Sequence, residues 1–126
     1  MGWEEFKQFV MSLLKKSELC VSSYPAFVEL KKCWGCYYVI IKFRENNDSL
    51  LIKFKVADNF MTPIFVKIKT DGSGKIKIHD YWDGVRELTN PQLVEKLRPL
   101  LRRAVDDWDS EAFDSAVELL LDLVYS

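Results

Sequence analysis

Four runs constrain this chain more than any other feature: "YYVIIKFR", "SLLIKFKV", "PIFVKIKT" and "KIKIHD". Each alternates apolar with charged residues at period two, the pattern of a strand that buries one face. The connections "ENND", "ADNFMT" and "DGSG" are short and rich in turn formers, so neighbouring runs pair antiparallel as a meander. Pro63 opens its run, where a missing N–H costs least.

Alternation divides the sheet into two faces. Val39, Ile41, Phe43, Ile52, Phe54, Val56, Ile64, Val66, Ile68, Ile76 and Ile78 share one parity and form the expected core face. Lys42, Arg44, Lys53, Lys55, Lys67, Lys69, Lys75 and Lys77 share the other. Tyr38, Ile40, Leu51 and Phe65 lie on the lysine side too, and are expected to form an apolar patch there.

Helical periodicity flanks the meander. Trp3, Phe6, Phe9, Val10, Leu13 and Leu14 give an amphipathic N-terminal helix, with Glu4 and Glu5 at its positive end. "CVSSYP" stops it, and "AFVELKK" is a short candidate first strand. From Pro91 the period is helical again: Thr89 or Asn90 caps, and Leu93, Val94, Leu97, Leu100, Leu101, Ala104 and Val105 make the stripe. Pro99 predicts a kink or break near Arg98. Asp109 or Ser110 caps a last helix carrying Phe113, Ala116, Val117, Leu120, Leu121 and Val124, widened by Leu119 and Leu123.

A sheet with one apolar face and amphipathic helices at both ends of the chain is satisfied by a two-layer sandwich. The expected fold is therefore α+β: an N-terminal helix, an antiparallel meander of four or five strands, and two to three C-terminal helices on one sheet face. The 126 residues suit a single domain, and no repeat or linker divides them. In element order alone the plan resembles ubiquitin-conjugating and RWD-type domains. No cysteine follows the meander, so the resemblance transfers no residue.

Composition narrows the function classes. Net charge is −1, but eight basic face four acidic side chains between residues 37 and 79, against five and eleven from 80 to 126. The N-terminus lacks the polarity of a secretory leader, and no apolar run reaches the roughly 20 residues that span a bilayer. Three cysteines, an odd number, fit reduced thiols. A soluble cytoplasmic protein with no membrane association is the expectation.

Cys33-Trp-Gly-Cys36 raises three alternatives. A redox pair needs its first cysteine at a helix N-terminus, and here the pair leads into a strand. A zinc site needs four ligands, which Cys20, Cys33, Cys36 and His79 would supply as Cys₃His. A hairpin turn needs only Gly35 for its backbone freedom and is the favoured reading. "HDYWDG", residues 79–84, places the single His beside Asp80 and Asp83 in a loop expected to lead into the C-terminal helices, without a nucleophile or third ligand. No P-loop, G-x-S-x-G, dinucleotide fingerprint or H-E-x-x-H occurs.

The sequence thus points away from catalysis and cofactors. The leading expectation is a protein-protein interaction or regulatory domain, acting through an unidentified protein partner and self-associating as a homodimer through Leu119 and Leu123. The alternative is nucleic-acid binding on the lysine face, with Tyr38 and Phe65 as stacking groups.

Overall fold

The computed structural model describes the chain apart from residues 1, 47, 48, 72, 81–83 and 126, and describes the backbone alone of Asp80. Among the described residues, α1 (Trp3–Lys15) precedes seven strands: β1 (Cys20–Ser23), β2 (Val28–Trp34), β3 (Tyr37–Asn46), β4 (Ser49–Ala57), β5 (Ile64–Thr70), β6 (Lys75–Asp80) and β7 (Gly84–Thr89). Helices α2 (Pro91–Asp106) and α3 (Ser110–Val124) follow. The strands form one sheet in chain order, every neighbouring pair antiparallel.

This is the expected α+β arrangement, with a longer sheet than the four or five strands read from the sequence. The two additions are edge strands, whose patterns are the faintest. β1 is only "CVSS", with Val21 alone turned toward the core cluster. β7 carries Arg86 at an inward position, which inverts the usual alternation. The chain after His79 therefore makes one more strand before the helices begin.

Every residue assigned to the core face of the meander is buried, including Ile41, Ile52, Phe54, Val66, Ile68 and Ile78 at no measurable exposure. Helices α2 and α3 close over them with Leu97, Leu101, Phe113, Ala116, Val117, Leu120 and Leu121. Asn90 caps α2 by accepting from the Leu93 N–H at 3.0 Å, and Asp109 caps α3 by accepting from the Ala112 N–H at 3.1 Å. No break occurs at Pro99: α2 runs through it, with the proline exposed and its neighbours Leu97 and Leu101 anchored in the core. Tertiary burial outweighs the local cost of the proline here.

Two glycines set turns. Gly35, at φ 58°, is the first residue of the two-residue loop between Trp34 and Tyr37, as the hairpin reading of CWGC requires. Gly74, at φ 83°, lies where a Cβ would stand 2.7 Å from Pro91, and its carbonyl accepts from the Asn90 N–H at 2.9 Å. The β5–β6 turn is thereby locked to the start of α2.

One inward position breaks the apolar pattern. Val28, Leu30 and Lys32 share the core parity of β2, and Lys32 is only 2% exposed. Its ammonium donates to Asp114 Oδ1 at 2.7 Å and to the Leu14 carbonyl at 3.0 Å, and lies 5.8 Å from the Phe113 ring. Nearby, Lys7 of α1 reaches Asp122 of α3 at 2.7 Å, and Trp3 stacks on Tyr125 with centroids 3.5 Å apart. At the other edge Arg86 donates to the Leu123 and Val124 carbonyls at the C-terminal end of α3, where a cation is favoured.

Candidate functional site

With all three helices on the core side, the other face of the sheet is left open. Register places its side chains in rows that run across the strands. One row reads Glu29, Lys42, Lys53, Lys67, His79 and Val85. The next reads Arg44, Leu51, Lys69, Lys77 and Glu87, and on the other side lie Lys31, Ile40, Lys55 and Phe65. Adjacent strands are about 4.8 Å apart, and rows two residues apart along a strand are separated by about 6.8 Å. Lysine and arginine thus form a two-dimensional lattice, to which Lys31 adds a position not singled out in the sequence.

The electrostatics of this lattice are unusual for a stable sheet. Lys42 faces Lys53, Lys53 faces Lys67, and Lys69 faces Lys77, three like-charge pairs directly across strands. Each such pair is destabilising where an opposite-charge pair would stabilise. Among the described residues, the basic groups of this face have one ion pair, Lys42 with Glu29 at 3.9 Å. Arg44, Lys53, Lys67, Lys69, Lys75 and Lys77 are exposed.

The acidic C-terminal segment lies in the helical layer. Asp114 is held by Lys32, Asp122 and Glu118 lie near Lys7, and Asp109 is 3.8 Å from Arg103. The carboxylates of α3 thus lie in the helical layer, away from the lysines, while Glu87 of β7 stands opposite Lys77 on the open face and Asp106 of α2 borders the same cavity as Arg44.

The expected apolar patch is not continuous. Tyr38, Ile40, Leu51 and Phe65 are all half-buried on the open face, and lysines sit over the rings. The Lys31 and Lys55 ammoniums lie 5.4 and 5.3 Å from the Tyr38 centroid, and Lys55 lies 5.9 Å from Phe65. The rings and the lysine stems cover one another.

Sequence reasoning missed a feature at the edge of this face. Tyr24 and Phe27, in the β1–β2 turn, stack with centroids 4.8 Å apart. Beside them a cavity of about 280 Å³ is lined by Arg44, Glu45, Arg102 and Asp106 among others. A second, of about 210 Å³, opens toward Lys42, Leu51 and Lys53, and the two share Ala26, Phe27, Phe43 and Arg44. The signal was present in "SSYPAF", where two aromatics flank a turn, but a turn signal alone does not say what the turn borders.

The Cys₃His set is not brought together. Cys20 is on β1, Cys33 is the penultimate residue of β2, Cys36 is in the following turn, and all three are exposed free thiols. His79 is on β6 opposite Lys67, four strand spacings from β2 or about 19 Å, far beyond a shared ion. Among the described residues no group of three or more His, Cys, Asp or Glu is placed to hold a metal. Of the HDYWDG group, residues 81–83 lie outside the described residues.

The two leucines assigned to self-association are occupied within the chain: Leu123 is buried and Leu119 rests partly buried on the core. A different apolar cluster is exposed at the β2–β3 end of the sheet. Trp34, Tyr37 and Phe9 are each more than a third exposed, with Phe9 edge-on to Tyr37 at 5.4 Å. No described helix is long and apolar enough to cross a membrane. Comparison with family models, with curated proteins and with solved structures found no match for this chain.

Proposed function

We propose that this chain is a non-catalytic binding domain whose working surface is the open face of its sheet, and that the partner it holds there is polyanionic. The observation that carries this reading is the set of three like-charge lysine pairs directly across strands, in rows where, among the described residues, the carboxylates are Glu29 and Glu87 at the two ends. Solubility needs surface charge of mixed sign; it does not need lysine opposite lysine. A partner bearing regularly spaced negative charge would neutralise the lattice and release its condensed counterions.

Binding of labelled heparin, poly-glutamate and nucleic acid, followed by fluorescence anisotropy from 20 to 300 mM salt, tests the reading. Association that weakens steeply with salt, and is lost in Lys53→Glu/Lys67→Glu, supports it. If none of the three polymers binds at low salt, the open face has another role.

A regulatory protein-protein interaction is the second reading, favoured by the exposed cluster at the β2–β3 end, where Trp34 is 46% exposed. Exposed aromatics of this kind are common anchors in protein interfaces. Crosslinking in cell extract with and without Trp34→Ser/Phe9→Ser separates it from the first, because those changes leave the lysines untouched.

A further inference from the structure

We infer that the polyanion is a single-stranded nucleic acid, and that its path leaves the lysine rows at Phe27 and Arg44 to lodge an unpaired base in the cleft beside Tyr24. This rests on the polyanion reading of the open face and adds to it a class of partner and a second contact site.

Three observations lead there. The first is continuity: the two cavities share Ala26, Phe27, Phe43 and Arg44, so a surface path runs from Lys42 and Lys53 around the sheet end to Arg102 without leaving a concave surface. The second is chemistry. The path passes from ammonium groups to a cleft where a half-exposed Tyr24 stands beside the exposed Arg44 and beside Arg102, whose guanidinium lies 3.3 Å from Glu45, with Asp106 also on the cleft wall. Aromatic and guanidinium planes accept a base face, while their charge suits the adjoining phosphate.

The third is shape. A duplex is read by a helix or ribbon entering a groove, and the helices of this chain pack on the other side of the sheet. The cleft volume of about 280 Å³ lies just below the range of roughly 300–1,000 Å³ typical of small-molecule sites. It is large enough to take one planar base. Heparin or an acidic peptide would satisfy the lysines yet leave the Tyr24 cleft without a use.

The test uses the intact protein and 5′-labelled 12-mers of DNA and RNA, single-stranded and duplex, with a single strand of abasic sites carrying the same charge. Anisotropy titrations at 50 and 200 mM salt give the affinities. The expected order is single strand over duplex, with the abasic strand tenfold or more weaker than the base-bearing one. Tyr24→Ala is expected to weaken the base-bearing strand by a similar factor, leave the abasic strand unchanged, and preserve the salt slope. Lys53→Gln/Lys67→Gln should weaken all strands and flatten that slope.

Equal affinity for abasic and base-bearing strands overturns the base site, and this holds even if Tyr24→Ala does not fold, since it uses the native chain. Tighter binding of duplex overturns the single-strand assignment. Binding of heparin or poly-glutamate without binding of any oligonucleotide overturns this inference and leaves the polyanion reading standing; failure of every polyanion removes both. The DNA and RNA arms distinguish the two sources of the same backbone chemistry.

Discussion

The ammonium of Lys32 sits 2.7 Å from Asp114 Oδ1, joining residues 82 positions apart in the chain across the middle of the sandwich. Lys32 is virtually inaccessible, and the Leu14 carbonyl takes a second of its protons. Removing one member of a buried pair strands the other charge, at a cost of about 3–5 kcal/mol. Lys32→Met and Asp114→Asn should each lower the urea midpoint sharply. The double variant Lys32→Met/Asp114→Leu should recover most of the loss, because well-packed apolar replacements relieve the desolvation of both ions. A double variant as unstable as the worse single would contradict this account.

Replacing Lys53 by Glu should make the free protein more stable while weakening its hold on polyanions. Lys53 lies between Lys42 and Lys67, so a carboxylate there converts two repulsive cross-strand pairs into attractive ones, each worth about 0.2–1 kcal/mol. Thermal melts at low and high salt provide the measurement, and the gain should shrink as salt rises. A loss of stability at low salt would show that the lattice is not under electrostatic strain.

Alanine at the two turn glycines should have unequal effects. At Gly35 nothing lies within 4 Å of the added methyl, so the cost is the positive φ alone, about 1 kcal/mol. At Gly74 the methyl meets Pro91 backbone at 2.7 Å as well, and the β5–β6 turn must pull away from α2. Gly74→Ala should therefore be clearly the more destabilising in denaturant titrations, with accelerated amide exchange at Asn90. Equal midpoints for the two variants would rule out the close approach.

Two charged groups tie stability to pH at opposite ends of the scale. The hydrogen bond to Asp122, with Asp122 and Glu118 charges beyond it, raises Lys7 above its ordinary 10.5 despite the opposing effect of burial. Its stabilising contribution is complete below that ordinary value and is lost as pH rises through the folded value. Asp71 is held below its ordinary value by the Ser73 hydroxyl and then by the Ser73 N–H. Its contribution is present above the ordinary carboxylate range and disappears as pH falls through the depressed value. Lys7→Met should therefore flatten the alkaline limb of the stability profile, and Asp71→Ala the acid limb. An unchanged alkaline limb in Lys7→Met would exclude the Asp122 contact as its source.

The interior of the meander was legible because burial there follows a period of two: the residues from Val39 to Ile78 assigned to the core face are all buried, and Ala57, buried beside Val56, departs from the alternation only at a strand end. The caps were legible for a local reason, since Asn90 and Asp109 each satisfy an N–H three residues away. Lys32 was not, because its partners come from two helices remote in sequence and no local pattern announces them. The edge strands were obscured by the same non-local contacts, Arg86 being an inward residue only because α3 ends above it. For the candidate site, alternation supplied the lysines, but their opposition across strands needed the register. The Tyr24 cleft needed α2 to be folded back beside the turn.

The unbroken order of the sheet has a kinetic consequence. Each strand pairs only with its neighbours in the chain, so every ladder closes a short loop and the sheet can assemble hairpin by hairpin at little entropic cost. The contacts between α1 and α3 instead enclose nearly the whole chain. They are the natural last step, and until it is complete the part of the core that Val10 and Leu14 of α1 cover stays wet. Stopped-flow experiments should find the central β3–β4 hairpin structured in the transition state and Lys7 and Asp122 not, with mutations at the helix pair acting on the unfolding rate.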